Sequence, residues 1–541
     1  MVVINTELEA LSLLGLRDFY YNRTRVVLDE SLKTLRSEQL HIIEWASSRS
    51  EPYLLVNAPT GIGKTLVGGV YASSQTGPFS YVVSTKALQD QVNRDLGIPT
   101  LKGRDNFACL IGQETHGFDI SAARAVCAFN EWCRYSGTTS PNGENPDTVQ
   151  CGYYSQRSLA LLRRGRVTNY PMALTMPALR ENTSTFIMDE AHRIEEAVIR
   201  STSIILNRGS MLVYGIRPPR AGDDIDKWAR WARSQHIKAK GKHDFQAKKL
   251  HEVLTRMGAM YRNIDNWIVD NKGTTTRFSP IFGTPFVLPN LFGHSQLDTQ
   301  ELLKGDVGRK GVRKVMMMSA TLLAPDLMER TLGLPPGSYA YLDLDSPFPP
   351  AHRPINYAPV QRMNLAATST VEGRAPMSKV MDKLIDGYLL TGRKCGIIHA
   401  VSRVYRDAIV AESRWRHVMT TDPLQHARSS ASGRASVLVS DNIIDGWDGK
   451  DDLCRFVLIP KVPFANLADR HVKLRQQKDP RSYDYSALVS VIQAVGRGVR
   501  HNLDEAESWI LDGSWEDLYR RRGNWLPQAF LSVYHHNVSL P

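Results

Sequence analysis

A glycine-rich loop near the start of the chain has the residues needed to hold phosphate groups. Residues 58–65 read Ala-Pro-Thr-Gly-Ile-Gly-Lys-Thr and follow the apolar run 53–56, which is typical of a buried strand. Glycines at this spacing let backbone amides turn inward around phosphate oxygens, and a helix beginning after the loop adds its positive dipole. Lys64 would reach the β- and γ-phosphates, and the Thr65 hydroxyl would bind magnesium. This P-loop therefore predicts ATP and Mg²⁺ as cofactors, with the contacts made by Thr60, Gly61, Gly63, Lys64 and Thr65.

An acidic pair follows a second apolar run. Asp189 and Glu190 come directly after residues 186–188, and Ala191 and His192 complete the tetrad. A carboxylate at the carboxyl end of a buried strand would face the P-loop, so Asp189 is predicted to hold the magnesium shell. Glu190 suits a general base that orients and deprotonates the attacking water. An acidic pair alone is usually a solvated turn, but its pairing with a P-loop favours a catalytic role.

Four cysteines lie close together in the first third of the chain. Cys109, Cys127, Cys133 and Cys151 have 17, 5 and 17 residues between successive members, and none forms a CxxC pair. Clustered cysteines in a cytosolic chain point to metal binding rather than to disulfides. Four thiolates at such spacing can hold an iron–sulfur cluster, although the spacing alone also permits zinc or no metal. The other two cysteines stand beside apolar runs and are expected in cores.

The order of apolar runs predicts an α/β protein with more than one domain. Short β-branched runs recur, each followed by a polar or glycine-rich loop and a helical pattern, as at 53–56, 81–84 and 186–188. Buried strands that alternate with helices form parallel sheets covered on both faces. A second series begins after the proline-rich stretch 346–350, where a helix or central strand cannot continue. Two parallel-sheet domains are therefore expected, and the segment near 196–312 is expected to be mainly helical.

Composition narrows the class of partner. The chain has 541 residues, a formal net charge of +12 and a pI near 9.3, which favours a polyanionic partner such as nucleic acid. No apolar run approaches the roughly 18 residues of a membrane helix, and the N-terminus lacks the features of a signal peptide. We therefore expect no membrane partner and a cytoplasmic location, or the host cytoplasm if the protein is viral.

Taken in order, these motifs resemble superfamily 2 helicases, specifically the DinG-type and XPD-type iron–sulfur branch. The resemblance runs from about Arg36 to Asp512 and so covers most of the chain. Further segments carry it, namely Arg36 to Gln39, Ser84 to Gln91, Ser319 to Thr321, Ser440 to Asp448, and Pro463 with Phe464. Asp445 replaces the glutamate usual in the fifth of the family's motifs. The resemblance implies that Gln39 contacts the adenine base.

The segment Gln-Ala-Val-Gly-Arg-Gly-Val-Arg at 493–500 is the most diagnostic part of this resemblance. On a helix, Gln493, Arg497 and Arg500 would share one face because they are four and three residues apart. Aimed across a cleft, Gln493 would order the attacking water, and the arginines would neutralise charge on the transferred phosphoryl group. Three polar residues on one helix face are usually only a solvated face, but the order of motifs favours catalysis.

The resemblance also implies the domain organisation. Two RecA-like motor domains are expected, with an iron–sulfur domain and a helical, arch-like insertion in the first. The expected boundaries are 1–101, 166–195 and 313–345 for motor domain 1, 102–165 for the iron–sulfur domain, 196–312 for the insertion and 346–541 for motor domain 2.

The cysteine region carries a further part of the resemblance. Residues 101–109 look like the family's lead-in to its first cluster ligand, and residues 151–154 and 168–170 look like the exit. This favours a 4Fe–4S cluster on the four cysteines over zinc. In the relatives this domain and the insertion frame a pore for single-stranded DNA. Pore contacts are predicted for Arg104, Trp132, Arg134 and Tyr135, with a possible nucleic-acid role for the basic stretch from Lys227 to Lys249.

The sequence therefore predicts an ATP-dependent DNA helicase that acts on single-stranded DNA and duplex junctions, and the resemblance implies that it acts as a monomer. The polarity, 5′ to 3′, is implied by the resemblance alone. Three alternatives stay open: a translocase or remodeller that does not unwind duplexes, a DNA-binding module without hydrolysis, and a nuclease with a helicase-like engine. Intact Lys64, Glu190 and Gln493 argue against a decayed motor, and no block of clustered acidic residues indicates a nuclease.

Overall fold

Short apolar runs form the central strands of two parallel sheets in this chain. The computed structural model describes residues 35–116, 121–124, 132–138, 143, 145, 147, 149–222, 224–238, 245–260, 265–272, 274–282, 311–441, 449 and 451–540. The strands, in chain order, are β1 (Tyr53–Asn57), β2 (Phe79–Val83), β3 (Gly165–Asn169), β4 (Thr185–Asp189), β5 (Ile204–Asn207), β6 (Trp267–Lys272), β7 (Thr275–Pro280), β8 (Lys314–Ser319), β9 (Tyr339–Asp343), β10 (Ile355–Gln361), β11 (Cys395–His399), β12 (Met419–Thr420), β13 (Ser436–Ser440), β14 (Phe456–Ile459), β15 (Glu507–Asp512) and β16 (Tyr534–His535).

Helices connect most of these strands. In chain order they are α1 (Ser37–Ser47), α2 (Lys64–Ser74), α3 (Lys86–Leu96), α4 (Leu110–His116), α5 (Gly152–Leu162), α6 (Tyr170–Thr175), α7 (Pro177–Glu181), α8 (Ile194–Thr202), α9 (Arg208–Val213), α10 (Ile225–Ser234), α11 (Phe245–Gly258), α12 (Pro325–Leu332), α13 (Leu365–Ser369), α14 (Val371–Leu390), α15 (Arg403–Glu412), α16 (Pro423–Ala431), α17 (Arg470–Lys478), α18 (Pro480–Val495), α19 (Ser514–Arg522) and α20 (Gln528–Leu531). None of the described helices is both long and apolar enough to cross a membrane.

The first sheet, with its helices, forms domain 1. Its six strands have the order β3-β2-β4-β8-β1-β9, and all neighbouring strands are parallel. Separate apolar cores lie on its two faces, so every residue of β1, β2 and β4 is buried. Because the carboxyl ends of parallel strands meet at one edge, the loops that follow β1, β4 and β8 lie close together.

The second sheet, with its helices, forms domain 2. Its seven strands have the order β12-β13-β11-β14-β15-β10-β16, again with parallel neighbours. Apolar cores cover both of its faces as well. The segment 344–354, which contains the proline-rich stretch, joins β9 of the first sheet to β10 of the second. The expected class, α/β with two parallel-sheet domains, is confirmed.

A third, smaller sheet lies in the insertion between β4 and β8. Here β5, β7 and β6 form an antiparallel sheet in that order, and they pack with α9, α10 and α11 around a core that includes Trp228 and Phe278. A mainly helical segment was expected here, and no strands were predicted in it. The sequence gives no clear signal for these strands because they mix polar with apolar residues, as in the Trp-Ile-Val-Asp-Asn-Lys of β6.

One strand of the first sheet contains a buried charge. Arg166 of β3 has no exposed surface, and its guanidinium donates hydrogen bonds to Ser80 Oγ at 3.0 Å, to Thr183 Oγ1 at 3.0 Å and to the Asn182 carbonyl. Burial lowers the pKa of Arg166 to about 10, so the side chain remains charged at neutral pH. A buried charge of this kind is stable only while its hydrogen-bond partners remain in place.

Replacing Arg166 should therefore destabilise domain 1. Arg166→Ala leaves buried acceptors without donors and is expected to lower the free energy of unfolding by about 3 kcal/mol. Urea denaturation followed by circular dichroism measures the change. Arg94→Ala, an exposed position on α3, is the matched control and should change stability by less than about 0.5 kcal/mol. Equal midpoints for the two variants would contradict the structural role of Arg166.

Candidate active site between the two sheets

The P-loop connects β1 to α2 at the carboxyl edge of the first sheet. β1 ends at Asn57, and α2 begins at Lys64, with Gly63 at its N-cap in a left-handed conformation. Gly61 also has a positive φ of +79°, and a Cβ atom there would lie 2.8 Å from both the Arg500 carbonyl and the Phe348 ring. The loop thus needs glycine for its backbone conformation and for the close approach of domain 2.

The two predicted nucleotide contacts at the start of α2 face the cleft. Lys64 donates hydrogen bonds from its ammonium group to the carbonyls of Ala58 and Pro59, each at 3.2 Å, so the cation lies within the loop. Thr65 lines the cleft and hydrogen-bonds the Tyr81 hydroxyl. An ammonium group can neutralise phosphate oxygens, and a hydroxyl oxygen can ligate magnesium. The first turn of α2 therefore presents the groups that a magnesium-bound triphosphate requires.

Gln39 lies on the outer side of the P-loop. Its side-chain amide donates to the Ile62 carbonyl at 2.8 Å, and its Oε1 accepts from the Arg36 amide at 2.8 Å. The Arg36 guanidinium donates to the Gly61 carbonyl at 2.8 Å. These contacts fasten α1 to the loop, and Gln39 does not line the cleft. Its role in contacting adenine stays a prediction.

Asp189 and Glu190 lie where β4 ends, opposite Lys64. Asp189 is buried, and its Oδ2 accepts a hydrogen bond from the Tyr81 hydroxyl at 3.3 Å. Burial and the Glu190 charge raise the pKa of Asp189. Burial alone would also raise the pKa of Glu190, but the nearby His192 imidazole and Lys64 ammonium hold it below its ordinary value. Glu190 is therefore ionised at neutral pH, as a general base must be.

His192 joins the acidic pair to two other segments, a role that the sequence analysis did not assign. Its Nε2 lies 2.6 Å from Gln493 Nε2, which can only donate, so the ring proton belongs on Nδ1. Nδ1 lies 2.8 Å from Ser319 Oγ and 3.3 Å from Glu190 Oε2. The signal in the sequence was the histidine that completes the Asp-Glu-Ala-His tetrad, together with the serine that opens the Ser-Ala-Thr segment.

Gln493, Arg497 and Arg500 reach the cleft from domain 2, but not on one helix. The expectation of a shared helix face is wrong, because α18 ends at Val495 and both arginines lie in the loop beyond it. Gly498 follows in this loop, where a Cβ atom would lie 2.1 Å from the Ala506 side chain. The absence of a side chain at Gly498 thus lets the loop pack tightly against Ala506. All three predicted residues nevertheless line the same cleft.

The cleft between the sheets has a volume of about 450 Å³. Every predicted catalytic and phosphate-binding residue lines it, namely Thr60, Gly61, Gly63, Lys64, Thr65, Asp189, Glu190, Gln493, Arg497 and Arg500. The Thr60 hydroxyl also donates to the Gly496 carbonyl at 3.0 Å, which links the P-loop to domain 2 directly. Ser84, Leu88 and Gln91, from one of the segments that carry the resemblance, line it as well. The end of the fifth motif, 442–448, lies outside the described residues.

Three of the four clustered cysteines share one small core. Cys109, Cys133 and Cys151 are buried together with Tyr135 and Tyr153, whereas Cys127 lies outside the described residues. The Cys109 sulfur accepts a hydrogen bond from the Gly112 amide at 3.4 Å. Buried thiols brought together from separate segments are a donor set suited to a soft metal site. The residues present therefore fit an iron–sulfur cluster.

The residues proposed to line a DNA pore make contacts within the cysteine region. Arg134 forms ion pairs with Glu114 and Asp147, and the Tyr135 hydroxyl also donates to Glu114. Two further predicted residues are likewise engaged: the Trp132 indole donates to the Thr138 carbonyl at 2.6 Å, and the Arg104 guanidinium lies over the Tyr153 ring at 4.5 Å. Their contact with DNA stays a prediction.

Comparison with known proteins places this site in a recognisable fold. Residues 409–531 match the family model of the helicase C-terminal domain. A solved XPD helicase structure covers 93% of this chain and 100% of its own, with 16% identity and a TM-score of 0.57. An XPD structure in its apo form covers the same shares, with 15% identity and a TM-score of 0.51. No curated protein sequence matches the chain.

The close approach at Gly61 generates a prediction. Gly61→Ala adds left-handed strain and places a Cβ atom against the Arg500 backbone, so ATP binding should weaken at least about tenfold. Titration with a fluorescent ATP analogue measures the affinity. Gly103→Ala is the control, because the nearest atom to its new Cβ is 3.8 Å away. Unchanged affinity in Gly61→Ala would contradict the tight packing of the two domains around the P-loop.

Proposed function

We propose that this chain, which has the fold of an XPD-type superfamily 2 helicase, is an ATP-dependent DNA helicase. It translocates on single-stranded DNA, in the 5′ to 3′ direction, and unwinds duplex or hybrid structures as a monomer. The observation that carries the proposal is the composition of the cleft. Domain 1 contributes Lys64 and Glu190, and domain 2 contributes Gln493 and Arg497 across from them. A nucleotide held between two domains couples its hydrolysis to their relative movement.

Binding of the triphosphate falls to domain 1. Lys64 would neutralise the β- and γ-phosphates, and the P-loop amides would donate to the phosphate oxygens. Magnesium would be held by the Thr65 hydroxyl and Asp189, whose hard oxygen atoms are the ligands it prefers. When bound, the ion neutralises charge on the phosphates. Burial and the Glu190 charge raise the pKa of Asp189, and a cation bound beside it would stabilise its ionised form.

Hydrolysis needs both domains. Glu190, whose carboxylate is ionised, would take a proton from the attacking water, and Gln493 would orient that water. Arg497 and Arg500 would neutralise the charge that develops on the γ-phosphoryl group, as an arginine finger does. Each of these groups lines the cleft only because domain 2 lies against the P-loop. Turnover therefore depends on domain closure.

The cross-cleft hydrogen bonds offer a route from hydrolysis to movement. His192 contacts Glu190, Ser319 and Gln493, so the position of the general base is tied to the loop after β8 and to α18. Loss of the γ-phosphate would remove the charge that holds the arginines in place. Domain 2 would then move away from domain 1, and the bound strand would advance.

Single-stranded DNA is the proposed track. The net charge of +12 favours binding to a phosphate backbone, and the fold is shared with XPD structures. A translocase that strips or remodels without unwinding would have the same cleft. A non-hydrolysing binding module would have no need of Glu190, Gln493 and the two arginines together. We therefore favour a hydrolysing motor, and unwinding distinguishes a helicase from a translocase.

The cysteine region is proposed to hold a 4Fe–4S cluster on Cys109, Cys127, Cys133 and Cys151. The burial of three of these thiols beside two tyrosines supports this assignment. A segment with so small an apolar core gains its stability from metal–sulfur bonds. The cluster would then be structural, fixing the pore segments that carry Arg104 and Arg134 in position.

Two substitutions in the cleft test the motor. Lys64→Ala should lower both ATP affinity and DNA-stimulated hydrolysis, the latter at least about 100-fold, since the phosphates lose their principal cation. Glu190→Gln should keep ATP binding but lower kcat about 10²- to 10³-fold, because the general base is lost. Lys379→Ala, an exposed position on α14, is the control. Steady-state hydrolysis with and without single-stranded DNA measures these effects.

Substrates with 5′ or 3′ overhangs then separate the candidate functions. Unwinding of the 5′-tailed duplex alone supports the proposed polarity. Hydrolysis stimulated by DNA without strand separation would leave the translocase as the function. DNA binding that never stimulates hydrolysis, or full activity in Lys64→Ala, would overturn the motor and leave the binding module.

Metal content tests the cluster. Protein purified without oxygen should contain about four irons and absorb in the visible range. Cys133→Ser should lose the iron and the absorbance, because one thiolate ligand is removed. Cys395→Ser, a buried cysteine of β11 outside the cluster, should keep both and serves as the control. Stoichiometric zinc in place of iron, or no metal in the wild-type chain, would contradict the assignment.

A further inference from the structure

A basic helix of domain 2 lies outside the cleft and has no role in the chemistry described so far. Helix α17 reads Arg-His-Val-Lys-Leu-Arg-Gln-Gln-Lys, and the Asp469 carboxylate caps it by accepting from the His471 and Val472 amides. None of the nine residues in this described helix is fully buried. Its apolar residues Val472 and Leu474 are only half-buried. Its basic side chains make polar contacts with domain 1.

Those contacts are with the insertion of domain 1. Arg470 donates to the Val269 carbonyl at 3.1 Å, and Lys478 donates to the Asp265 carbonyl. β6, which contains Val269, is an edge strand of the three-stranded sheet. An edge strand presents unpaired backbone groups that need partners. The cations of α17 supply donors for these backbone carbonyls.

His471 adds a third contact of the same kind. Its Nε2 lies 2.9 Å from the carbonyl of Pro280, the last residue of β7, so the ring donates to it. Together the helix therefore grips both strands of the β6–β7 hairpin through main-chain oxygens. Because these hydrogen bonds go to main-chain carbonyls on both strands, they hold the hairpin as a unit.

Arg475 makes the least exposed contact of the helix. Its guanidinium forms an ion pair with Glu195 and lies over the Phe282 ring at 5.0 Å. The two charged side chains are only 22% and 17% exposed, so solvent screens this pair less than a surface pair. Glu195 lies in α8, three residues after His192, and Phe282 follows β7. This one side chain thus touches both the insertion and the helix that leaves the catalytic tetrad.

The next helix links these contacts to the cleft. A single residue, Asp479, separates α17 from α18, and α18 reaches the cleft with Gln493. Along its length it contacts domain 1 twice more: Arg481 pairs with Asp326 at 3.0 Å, and the Tyr485 hydroxyl donates to the Thr321 carbonyl at 2.9 Å. Consecutive helices of domain 2 therefore touch the insertion at one end and the catalytic residues at the other.

We propose that α17 is a clamp through which domain 2 holds the insertion, closed when the cleft is closed and released when hydrolysis opens it. This inference rests on the proposed function and adds to it a means of moving the insertion with each ATP. Polar interfaces between domains separate at little cost because water replaces their hydrogen bonds. An apolar interface would have held the insertion permanently. In this proposal α17 binds the β6–β7 hairpin while the cleft is closed and releases it when the cleft opens.

Charge reversal across the Arg475–Glu195 pair tests the clamp. Arg475→Glu and Glu195→Arg each place like charges together, and each should lower the number of base pairs unwound per ATP at least fivefold. DNA-stimulated hydrolysis should stay within twofold of wild type. The double variant restores opposite charges and should recover unwinding to within twofold, which a misfolded protein would not do. Lys473→Glu changes the same charge on an exposed position of α17 and should have no effect.

Hydrogen exchange tests the contact between α17 and the β6–β7 hairpin. In the wild-type chain, a non-hydrolysable ATP analogue should slow exchange of the amides in β6 and β7, and Arg475→Glu should abolish that protection while Lys473→Glu retains it. Equal behaviour of Arg475→Glu and Lys473→Glu, or a double variant no better than the two single changes combined, would overturn the clamp. Failure of the proposed function would instead appear as a wild-type chain that hydrolyses no ATP. The exchange difference between the two variants would still decide whether α17 holds the insertion.

Discussion

The hydrogen bond between Gln493 and His192 joins the two sheets at the catalytic edge, and the rest of the site is arranged around it. At 2.6 Å it occupies one ring nitrogen and so directs the other toward Ser319 and Glu190. Glu190 follows β4 and Ser319 ends β8, and these strands are neighbours in the first sheet. A shift of domain 2 would therefore displace residues at the carboxyl ends of two adjacent strands at once.

This contact can transmit movement because α18 is firmly held within its own domain. Leu488 and Ile492 are buried in the core of domain 2. Asp484 pairs with Arg521 at 2.9 Å and with Arg522 at 3.0 Å, which ties α18 to α19. Charge-assisted hydrogen bonds to a buried carboxylate are among the stronger ones in proteins. Gln493 consequently moves with the whole of domain 2 rather than by rotation of its own helix.

How much of this could be predicted follows from what each residue interacts with. The strands β1 and β4 were predictable because residues 53–56 and 186–188 are unbroken apolar runs that contact the cores on both faces of the first sheet. β3 contains Arg166, whose hydrogen-bond partners lie 86 and 17 residues away, and local pattern carries no sign of them. The strands of the insertion are only four to six residues long, and β5 alone alternates buried with exposed residues, so the local pattern is too weak to recognise.

In the candidate site, too, some features could be predicted from the sequence and others could not. The P-loop and the acidic pair were predictable because each is a local sequence with its own geometry. The prediction that one helix carries Arg497 and Arg500 was wrong, because the spacing of residues in the sequence cannot show that Gly498 packs against Ala506. Contacts between domains, such as Thr60 with Gly496 and Arg475 with Glu195, span 436 and 280 residues and depend on the folded arrangement alone.

The two segments inserted in domain 1 achieve order by different means, and this difference bears on their roles. The insertion has a core of aromatic and aliphatic side chains, including Trp228 and Phe278. Among the described residues of the cysteine region, the small core is built on three thiols and two tyrosines, which bury much less apolar surface. The proposed cluster would supply the cysteine region with cross-links that its small core lacks. The insertion, which has a core of its own, would instead move as a folded body if α17 holds and releases it as proposed.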